Sequence, residues 1–123
     1  MFYKRQFIRK FSAVNYKDVL KKINDCVLID VRTEAEASQG MIPSAINIPL
    51  HNLELTLVEN KLSRDKEIIF YCKSGIRSAK ASKIAENFGF KNVSNYEGSY
   101  SDWVSHQSRC WNCSLILDCG GSC

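Results

Sequence analysis

Four short segments of the chain have the character of strands, and two of them hold a continuous apolar run, at 27–29 and at 68–71. Runs of this kind, rich in β-branched side chains and bounded by polar or turn residues, predict buried strands. Strands that read as continuously apolar are typical of a parallel sheet covered on both faces. The predicted strands are Val27 to Val31, Ala45 to Ile48, Lys66 to Tyr71 and Val93 to Tyr96.

Between these runs the apolar spacing changes to that of helices. Ala81, Ile84, Ala85 and Phe88 recur at i, i+3, i+4 and i+7, which predicts an amphipathic helix that Gly89 ends. This helix begins near residue 77, directly after the third predicted strand and a short loop.

Other helices are predicted from capping residues and apolar spacing. Asn15 is followed three residues later by Asp18, a pair that can cap the start of a helix running through Lys22. The remaining predicted helices cover 33–38, 52–62 and the segment after Gly98 that carries Trp103.

Strands and helices thus alternate along the chain, which predicts an α/β fold with a parallel sheet and helices on both of its faces. A length of 123 residues is enough for one such domain. Ligands of open α/β sheets bind beyond the carboxyl ends of the strands.

The strongest chemical signal is a cysteine between the third predicted strand and the helix after it. Cys72 follows the apolar residues 68–71, and Gly75 allows the backbone of the next residues to curl tightly. The pKa of a thiol falls near a helix N-terminus and near basic groups, and Lys73 and Arg77 are such groups. We therefore expect Cys72 to be an ionised nucleophile at neutral pH without a histidine base.

The same loop is suited to hold an anion. Backbone N–H groups at a helix N-terminus, together with the two cations, favour negative charge on the sulfur and on a substrate. The Ser74 and Ser78 hydroxyls are additional donors. The predicted substrate-binding residues are Lys73, Ser74, Gly75, Ile76, Arg77 and Ser78.

Asp30 and Arg32 flank the carboxyl end of the first predicted strand, which places them near the same edge of a parallel sheet. We expect them to form a structural ion pair that braces loops near the site, and we assign them no catalytic role.

Four segments, in this order, resemble the signatures of single-domain rhodanese-like sulfurtransferases of the thiosulfate sulfurtransferase type. The resemblance implies a five-stranded parallel sheet, a domain over about 13–105, and no cofactor or metal ion. The segments are Leu28 to Arg32, Gly40 to Pro49, the loop from Cys72 to Ser78, and Glu97 through Trp103.

The chain departs from the family pattern at four positions. Ser44 and Ser99 stand where the family usually has glycine, Met41 where it usually has histidine, and Ala37 where an aromatic residue is common. These positions are structural in the family, so the departures concern local packing rather than the chemistry.

The resemblance implies a sulfur relay. The Cys72 thiolate would take the sulfane sulfur of thiosulfate or another donor and pass it from a persulfide to a thiol or to cyanide. Two alternatives stay open: a non-catalytic rhodanese-like module that binds a partner or senses sulfur, and a Cys-loop phosphatase or arsenate reductase. Tyrosine-phosphatase-like loops have five residues between Cys and Arg, whereas only four separate Cys72 from Arg77.

The charge of the chain is concentrated at its beginning. The net charge is +4, and residues 1–12 hold four basic residues and no acid, so the remainder holds 13 bases against 13 acids. A neutral domain argues against nucleic acid as a partner, and no apolar run approaches the roughly 20 residues of a membrane span. Residues 1–12 are basic and amphipathic, which predicts a transit peptide and a mitochondrial location, or else a disordered basic tail and a cytoplasmic one.

The segment 106–123 is a cysteine-rich extension beyond the resemblance. Without a secretory signal, the six cysteines of the chain are expected to be reduced. The extension is interpreted as a tail of little consequence, a metal site, or a redox pair that accepts sulfur from Cys72. Its cysteines are Cys110, Cys113, Cys119 and Cys123.

Overall fold

The computed structural model describes residues 11–59 and 64–115, with side chains described as far as residue 107. Strands and helices alternate along the whole of this range. In chain order they are β1 (Ser12–Val14), α1 (Tyr16–Lys22), β2 (Val27–Asp30), α2 (Glu34–Ser38), β3 (Ile46–Asn47), α3 (Leu50–Glu59), β4 (Glu67–Tyr71), α4 (Ile76–Asn87), β5 (Asn92–Tyr96) and α5 (Ser99–Leu115).

The five strands form one parallel sheet in the order β1-β5-β4-β2-β3, which confirms the predicted α/β class. Strand β4 occupies the centre, with β2 on one side and β5 on the other. Because all strands are parallel, their carboxyl ends share one edge. The loops after β2, β4 and β5 therefore meet at that edge.

Alternate residues of β4 point to opposite faces of the sheet, as strand geometry requires. Ile68, Phe70 and Cys72 belong to the core under α3 and α4. Ile69 and Tyr71 belong to the core under α1 and α5. The cysteine after β4 thus continues the alternation and points toward the N-terminal end of α4.

The predicted cap of the first helix is confirmed. The Asn15 side chain accepts a hydrogen bond from the Asp18 N–H at 3.0 Å, and the Asp18 carboxylate accepts one from the Asn15 N–H at 3.1 Å. This capping box satisfies two of the N–H groups that a helix start leaves unpaired.

Strand β1 was missed by the sequence analysis. It is three residues long, its first two residues are exposed, and it exists through its pairing with β5, Ser12 opposite Ser94 and Val14 opposite Tyr96. A segment this short carries no periodic signal of its own. The strand begins at residue 12, the last residue of the segment predicted to be a transit peptide or a basic tail. Residues 1–10 lie outside the described part of the chain.

Most other strand and helix boundaries lie within one residue of expectation, and α3 and α5 differ by more. Helix α3 begins at Leu50, directly after Pro49, rather than at residue 52. Helix α5 extends to Leu115, beyond the predicted domain end at 105. The side chains of Cys110 and Cys113, and all of Cys119 and Cys123, lie outside the described residues, so the interpretations of this extension stay predictions.

No helix within the described ranges has both the length and the apolar character needed to cross a bilayer.

Candidate active site

The sulfur of Cys72 lies in a bowl of backbone N–H groups. The Gly75 N–H donates to Sγ at 3.0 Å and the Ser78 N–H at 3.4 Å. Cys72 is 1% exposed, so its sulfur lies at the floor of the loop rather than at its mouth.

The sulfur also caps helix α4. The N-cap residue is Gly75, with φ at +100° and no side chain that could accept a hydrogen bond. Ser78 is the third residue of the helix, whose N–H an ordinary N-cap side chain would satisfy. Cys72 Sγ takes that place from outside the helix. A negative charge on the sulfur therefore meets the positive end of the helix dipole.

Hydrogen bonding lowers the pKa of the Cys72 thiol. Burial by itself raises the pKa, but the Ser78 hydroxyl and the N–H groups of Ser78, Gly75 and Ser74 outweigh burial, and the net shift is downward. The direction agrees with the prediction. The cause is mainly donors inside the loop, whereas the sequence analysis gave equal weight to the cations of Lys73 and Arg77.

Cys26 provides a contrast within the same molecule. Burial raises the pKa of its thiol to about 11, with Glu67 adding to the effect. Cys26 and Cys72 are both free thiols. Only Cys72 of these two is placed where the thiolate is favoured.

The start of α5 holds the loop from behind. The Tyr100 N–H donates to the Cys72 carbonyl at 2.9 Å, and the Ser101 N–H donates to the Lys73 carbonyl at 3.1 Å. The Ser99 hydroxyl accepts from the Cys72 N–H at 3.1 Å and donates to the Tyr96 carbonyl at 2.8 Å. The backbone on both sides of Cys72 is therefore fixed by the β5–α5 connection.

A buried polar pair supports the loop from β5. The Ser78 hydroxyl lies 2.5 Å from Asn95 Oδ1 and 3.1 Å from the Gly75 carbonyl oxygen. Asn95 is 4% exposed and its Nδ2 lies 3.5 Å from the same carbonyl. Since a serine hydroxyl has one proton, donating it to the Cys72 thiolate means turning it away from Asn95 Oδ1 and the Gly75 carbonyl, which accept it in this structure.

The two predicted cations differ in their surroundings. Arg77 is held by Glu36 of α2, with Nη1 to Oε1 at 2.7 Å and Nη2 to Oε2 at 3.1 Å. Lys73 is exposed, and its ammonium contacts no acceptor among the described side chains. Ser74 is exposed, and the Ile76 side chain is 67% exposed, so neither packs into the core.

Asp30 and Arg32 form a buried ion pair near the carboxyl end of β2. Arg32 Nη2 lies 2.6 Å from Asp30 Oδ2 and 2.6 Å from the Gly40 carbonyl, and the guanidinium lies over the Tyr100 ring at 4.2 Å. The pair thereby links the loop after β2, the loop before β3 and helix α5. This geometry agrees with a bracing role and brings neither residue to the sulfur.

Sequence reasoning missed Glu36, Asn95 and Ser99 as members of the site. Thr33 and Glu36 have capping-box spacing, but nothing local indicates that the carboxylate also reaches Arg77, which is 41 residues away in the chain. Asn95 lies within the predicted strand from Val93 to Tyr96, and nothing local marks it as a neighbour of the cysteine loop. Only Ser99 had a signal, because it stands where the resembling family usually has glycine.

A groove of about 450 Å³ lies beside the loop, between α2 and α5. Its lining combines charged and polar side chains with the Tyr100 ring and the Val104 methyl groups of α5. The lining includes Arg32, Gln39, Lys73, Tyr100 and Val104. The described residues contain no group of His, Cys, Asp and Glu side chains that could hold a metal ion.

Comparison with known proteins places this geometry in a family. A family model for the rhodanese-like domain matches residues 15–106. A thiosulfate:glutathione sulfurtransferase of Saccharomyces cerevisiae is 37% identical over 111 residues, covering 80% of this chain and 80% of that protein. A sulfurtransferase of Allochromatium vinosum is 36% identical over 99 residues, covering 80% and 91%. The structure of the human single-domain sulfurtransferase TSTD1 superimposes with a TM-score of 0.71 at 29% identity, covering 76% of this chain and 95% of that one.

Proposed function

This chain belongs to the rhodanese-like domain family, and on that premise we propose that it transfers a sulfane sulfur from thiosulfate to a thiol through a persulfide on Cys72. The observation that carries the proposal is the pair of N–H groups, from Gly75 and Ser78, that donate to Cys72 Sγ. Donors fixed in this way favour the thiolate, which is the nucleophilic form.

In the first step the Cys72 thiolate attacks the outer sulfur of thiosulfate. The new Cys72 S–S bond forms as the S–S bond of thiosulfate breaks, and sulfite leaves with the electron pair. The negative charge moves to the outer sulfur of the persulfide. Loop N–H groups that already face the cysteine are close enough to stabilise that charge without reorganising.

In the second step an acceptor thiolate attacks the outer sulfur and regenerates the Cys72 thiolate. One related yeast protein is named for glutathione as acceptor. We propose a small thiol of this kind here, approaching along the groove beside Lys73, whose ammonium would meet a carboxylate of the acceptor. Cyanide is the simplest alternative acceptor, because it needs no contact beyond the sulfur.

The test is sulfur loading measured by mass spectrometry. Wild-type protein is reduced, freed of reductant and incubated with thiosulfate, and the peptide containing Cys72 is analysed under non-reducing conditions. We expect a gain of one sulfur atom on that peptide, and its loss on addition of glutathione or cyanide with release of the corresponding product.

Two variants control the assay. Cys72→Ser should abolish loading, while Cys26→Ser should leave it intact, since the raised pKa of Cys26 disfavours its thiolate. Absence of loading in wild type with thiosulfate and with other sulfane donors would instead favour a binding or sensing module. Cys72-dependent hydrolysis of an aryl phosphate would favour a phosphatase.

The mitochondrial location and the division of the chain at residues 12 and 105 are also proposals. The location and the boundary at residue 12 follow from the basic, acid-free start of the chain, and the boundary at 105 follows from where the family resemblance ends. Import of a fusion of residues 1–12 to a reporter protein, compared with the same fusion in which Lys4, Arg5, Arg9 and Lys10 are glutamine, tests the location.

A further inference from the structure

We propose that Glu36 is a specificity-determining residue, which weakens the attraction of the loop for doubly charged donors by occupying the guanidinium of Arg77. The inference rests on the proposed function. It concerns which sulfane donors load Cys72 fastest, and assigns Glu36 no part in the chemistry.

The contact between Glu36 and Arg77 joins both carboxylate oxygens to both terminal nitrogens of the guanidinium. Each carboxylate oxygen accepts from a different terminal nitrogen, at 2.7 and 3.1 Å. A two-point pairing of this kind is the strongest arrangement available to an arginine and a carboxylate. The contact uses two of the five guanidinium N–H donors, and the Glu36 carboxylate offsets the positive charge that Arg77 would otherwise present to a substrate.

The carboxylate is fixed from its own helix as well. Glu36 Oε1 accepts from the Thr33 N–H at 2.9 Å and lies 3.2 Å from Thr33 Oγ1, completing the capping box of α2. The Arg77 contact and this cap hold the pKa of Glu36 down at about 2. Glu36 thus carries a full negative charge at any pH at which the enzyme would be assayed.

The pairing changes the charge that a donor meets at the loop. Asp30 and Arg32 neutralise each other in the core, at 2.6 Å. Arg77 and Glu36 neutralise each other at the rim, where their side chains are about one-third exposed, at 34% and 33%. Lys73 is then the cation beside the loop without an acidic partner among the described side chains. One net positive charge is matched to a singly charged donor better than to a doubly charged one.

Two small donors separate charge from reactivity. Thiosulfate carries two negative charges, and methanethiosulfonate is the same ion with one charged oxygen replaced by a methyl group. Each gives its sulfane sulfur to Cys72, and the electron pair of the broken S–S bond leaves with sulfite or with methanesulfinate. The ratio of the two loading rates therefore measures how strongly the site attracts or repels the second negative charge of the donor.

Glu36→Gln is the informative substitution. Glutamine keeps an oxygen for the Thr33 cap and removes the charge. In Glu36→Gln the donor is no longer repelled by the Glu36 charge. At about 7 Å and with water-like screening, removing one such repulsion raises a rate roughly threefold. The loading rate should therefore rise about threefold for methanethiosulfonate, which has one charge, and about tenfold for thiosulfate, which has two. We expect the ratio of the second-order loading rates, thiosulfate over methanethiosulfonate, to rise about threefold. The rise should shrink at high salt.

The matched control is Glu34→Gln. Glu34 lies in the same first turn of α2 and is exposed. Its substitution removes the same charge from the same helix without touching Arg77, and should leave the ratio unchanged. Arg77→Gln, which leaves Glu36 unbalanced, should lower the ratio about threefold, and the double variant Glu36→Gln with Arg77→Gln should return it close to that of wild type.

The outcomes are distinguishable. An unchanged ratio in folded Glu36→Gln, or an equal rise in Glu34→Gln, would overturn the inference while leaving the sulfurtransferase proposal in place. If Glu36→Gln does not fold, the direction of the ratio in Arg77→Gln decides, and a rise there would overturn the inference. Failure of both donors to load wild-type Cys72 would overturn the proposed function and the inference with it.

Discussion

The Ser99 hydroxyl accepts a hydrogen bond from the backbone N–H of Cys72 at 3.1 Å, while donating to the Tyr96 carbonyl at 2.8 Å. It bridges β4 and β5 at the point where their direct pairing ends. Ser99 is fully buried and holds φ at +57°, a left-handed conformation that costs most residues about 1–2 kcal/mol. The hydrogen bonds of the hydroxyl therefore offset the free-energy cost of a backbone conformation that glycine would adopt without strain.

This relationship predicts an order of stabilities at position 99. Ser99→Ala keeps the strain and leaves the Cys72 N–H and the Tyr96 carbonyl unpaired, at a cost of about 2 kcal/mol. Ser99→Gly loses the same bonds but removes the strain, so its cost should be about 1 kcal/mol smaller. Urea unfolding of the three proteins measures the order.

Ser44 is the matched control for position 99. It also has a positive φ, at +75°, but is exposed. Ser44→Gly should stabilise the protein by about 1 kcal/mol, because only strain is removed. An alanine at 99 that is tolerated as well as glycine would refute the bridging role of the hydroxyl.

The loop depends on glycine at position 75 for two reasons. A Cβ there would lie 2.5 Å from the Glu97 carbonyl oxygen, and φ is +100°. Gly75→Ala should displace the loop, and a displacement of about 1 Å at a reacting group costs about a hundredfold in rate. Sulfur loading of Cys72 is the measurement.

Gly89 is the control for Gly75, because it has the same backbone strain toward a side chain without a close contact to another backbone atom. Its φ is +94°, but a Cβ there would meet only the flexible Arg64 side chain, at 3.6 Å. Gly89→Ala should lower the melting temperature and leave the loading rate per folded molecule unchanged. Equal loading by Gly75→Ala and Gly89→Ala would show that the Glu97 contact does not shape the site.

The reactivity of Cys72 should depend on the Ser78 hydroxyl. Among the groups that lower the pKa of Cys72, this hydroxyl has the largest effect. A lowered pKa means that reactivity rises as pH increases through it and then levels off. In Ser78→Ala that rise should shift to higher pH. The rate of iodoacetamide alkylation of the Cys72 peptide, followed by mass spectrometry across pH, measures the shift.

Ser74→Ala is the control for this experiment, since Ser74 acts on the sulfur through its backbone N–H rather than its side chain. Its pH profile should match that of wild type. A profile for Ser78→Ala that does not move would assign the lowered pKa to the backbone donors alone.

The pair of Glu36 and Arg77 should contribute stability with a defined dependence on pH. The pKa of Glu36 is lowered from about 4.5 to about 2. A lowered carboxyl pKa stabilises the fold above its ordinary value, and the stabilisation is lost as pH falls toward about 2. Because the pair is one-third exposed, we expect about 1 kcal/mol at neutral pH. The difference in urea midpoint between wild type and Glu36→Gln should shrink as pH falls from 5 to about 2, and a difference that is constant with pH would contradict the assignment.

Breaking the buried pair at the end of β2 should be far more costly. Asp30→Asn leaves the Arg32 charge buried without its partner, which typically costs about 3–5 kcal/mol. Asp65→Asn removes one member of an exposed pair with Lys91, at 3.6 Å, and should cost less than about 0.5 kcal/mol. Thermal unfolding of both variants gives the comparison, and equal costs would show that Asp30 does not brace the loops.

The sequence by itself determined the fold class and the place of Cys72 between a strand and the start of a helix. Alternating strand and helix patterns, the Asn15 cap and the glycine after Cys72 are local signals, because each depends on residues within a few positions of one another. The sequence also showed that Ser44 and Ser99 stand where the family usually has glycine. Among the described residues other than glycine, these are the two with positive φ.

Only the tertiary structure decided how the charges and donors of the site are used. Strand β1 exists through its pairing with β5, and Glu36 reaches Arg77 across 41 residues of chain. Ser99 and Asn95 meet the loop because parallel strands bring their carboxyl ends to one edge. Contacts of this kind leave no periodic trace in a single sequence, since they depend on which elements pack together rather than on which residues are neighbours.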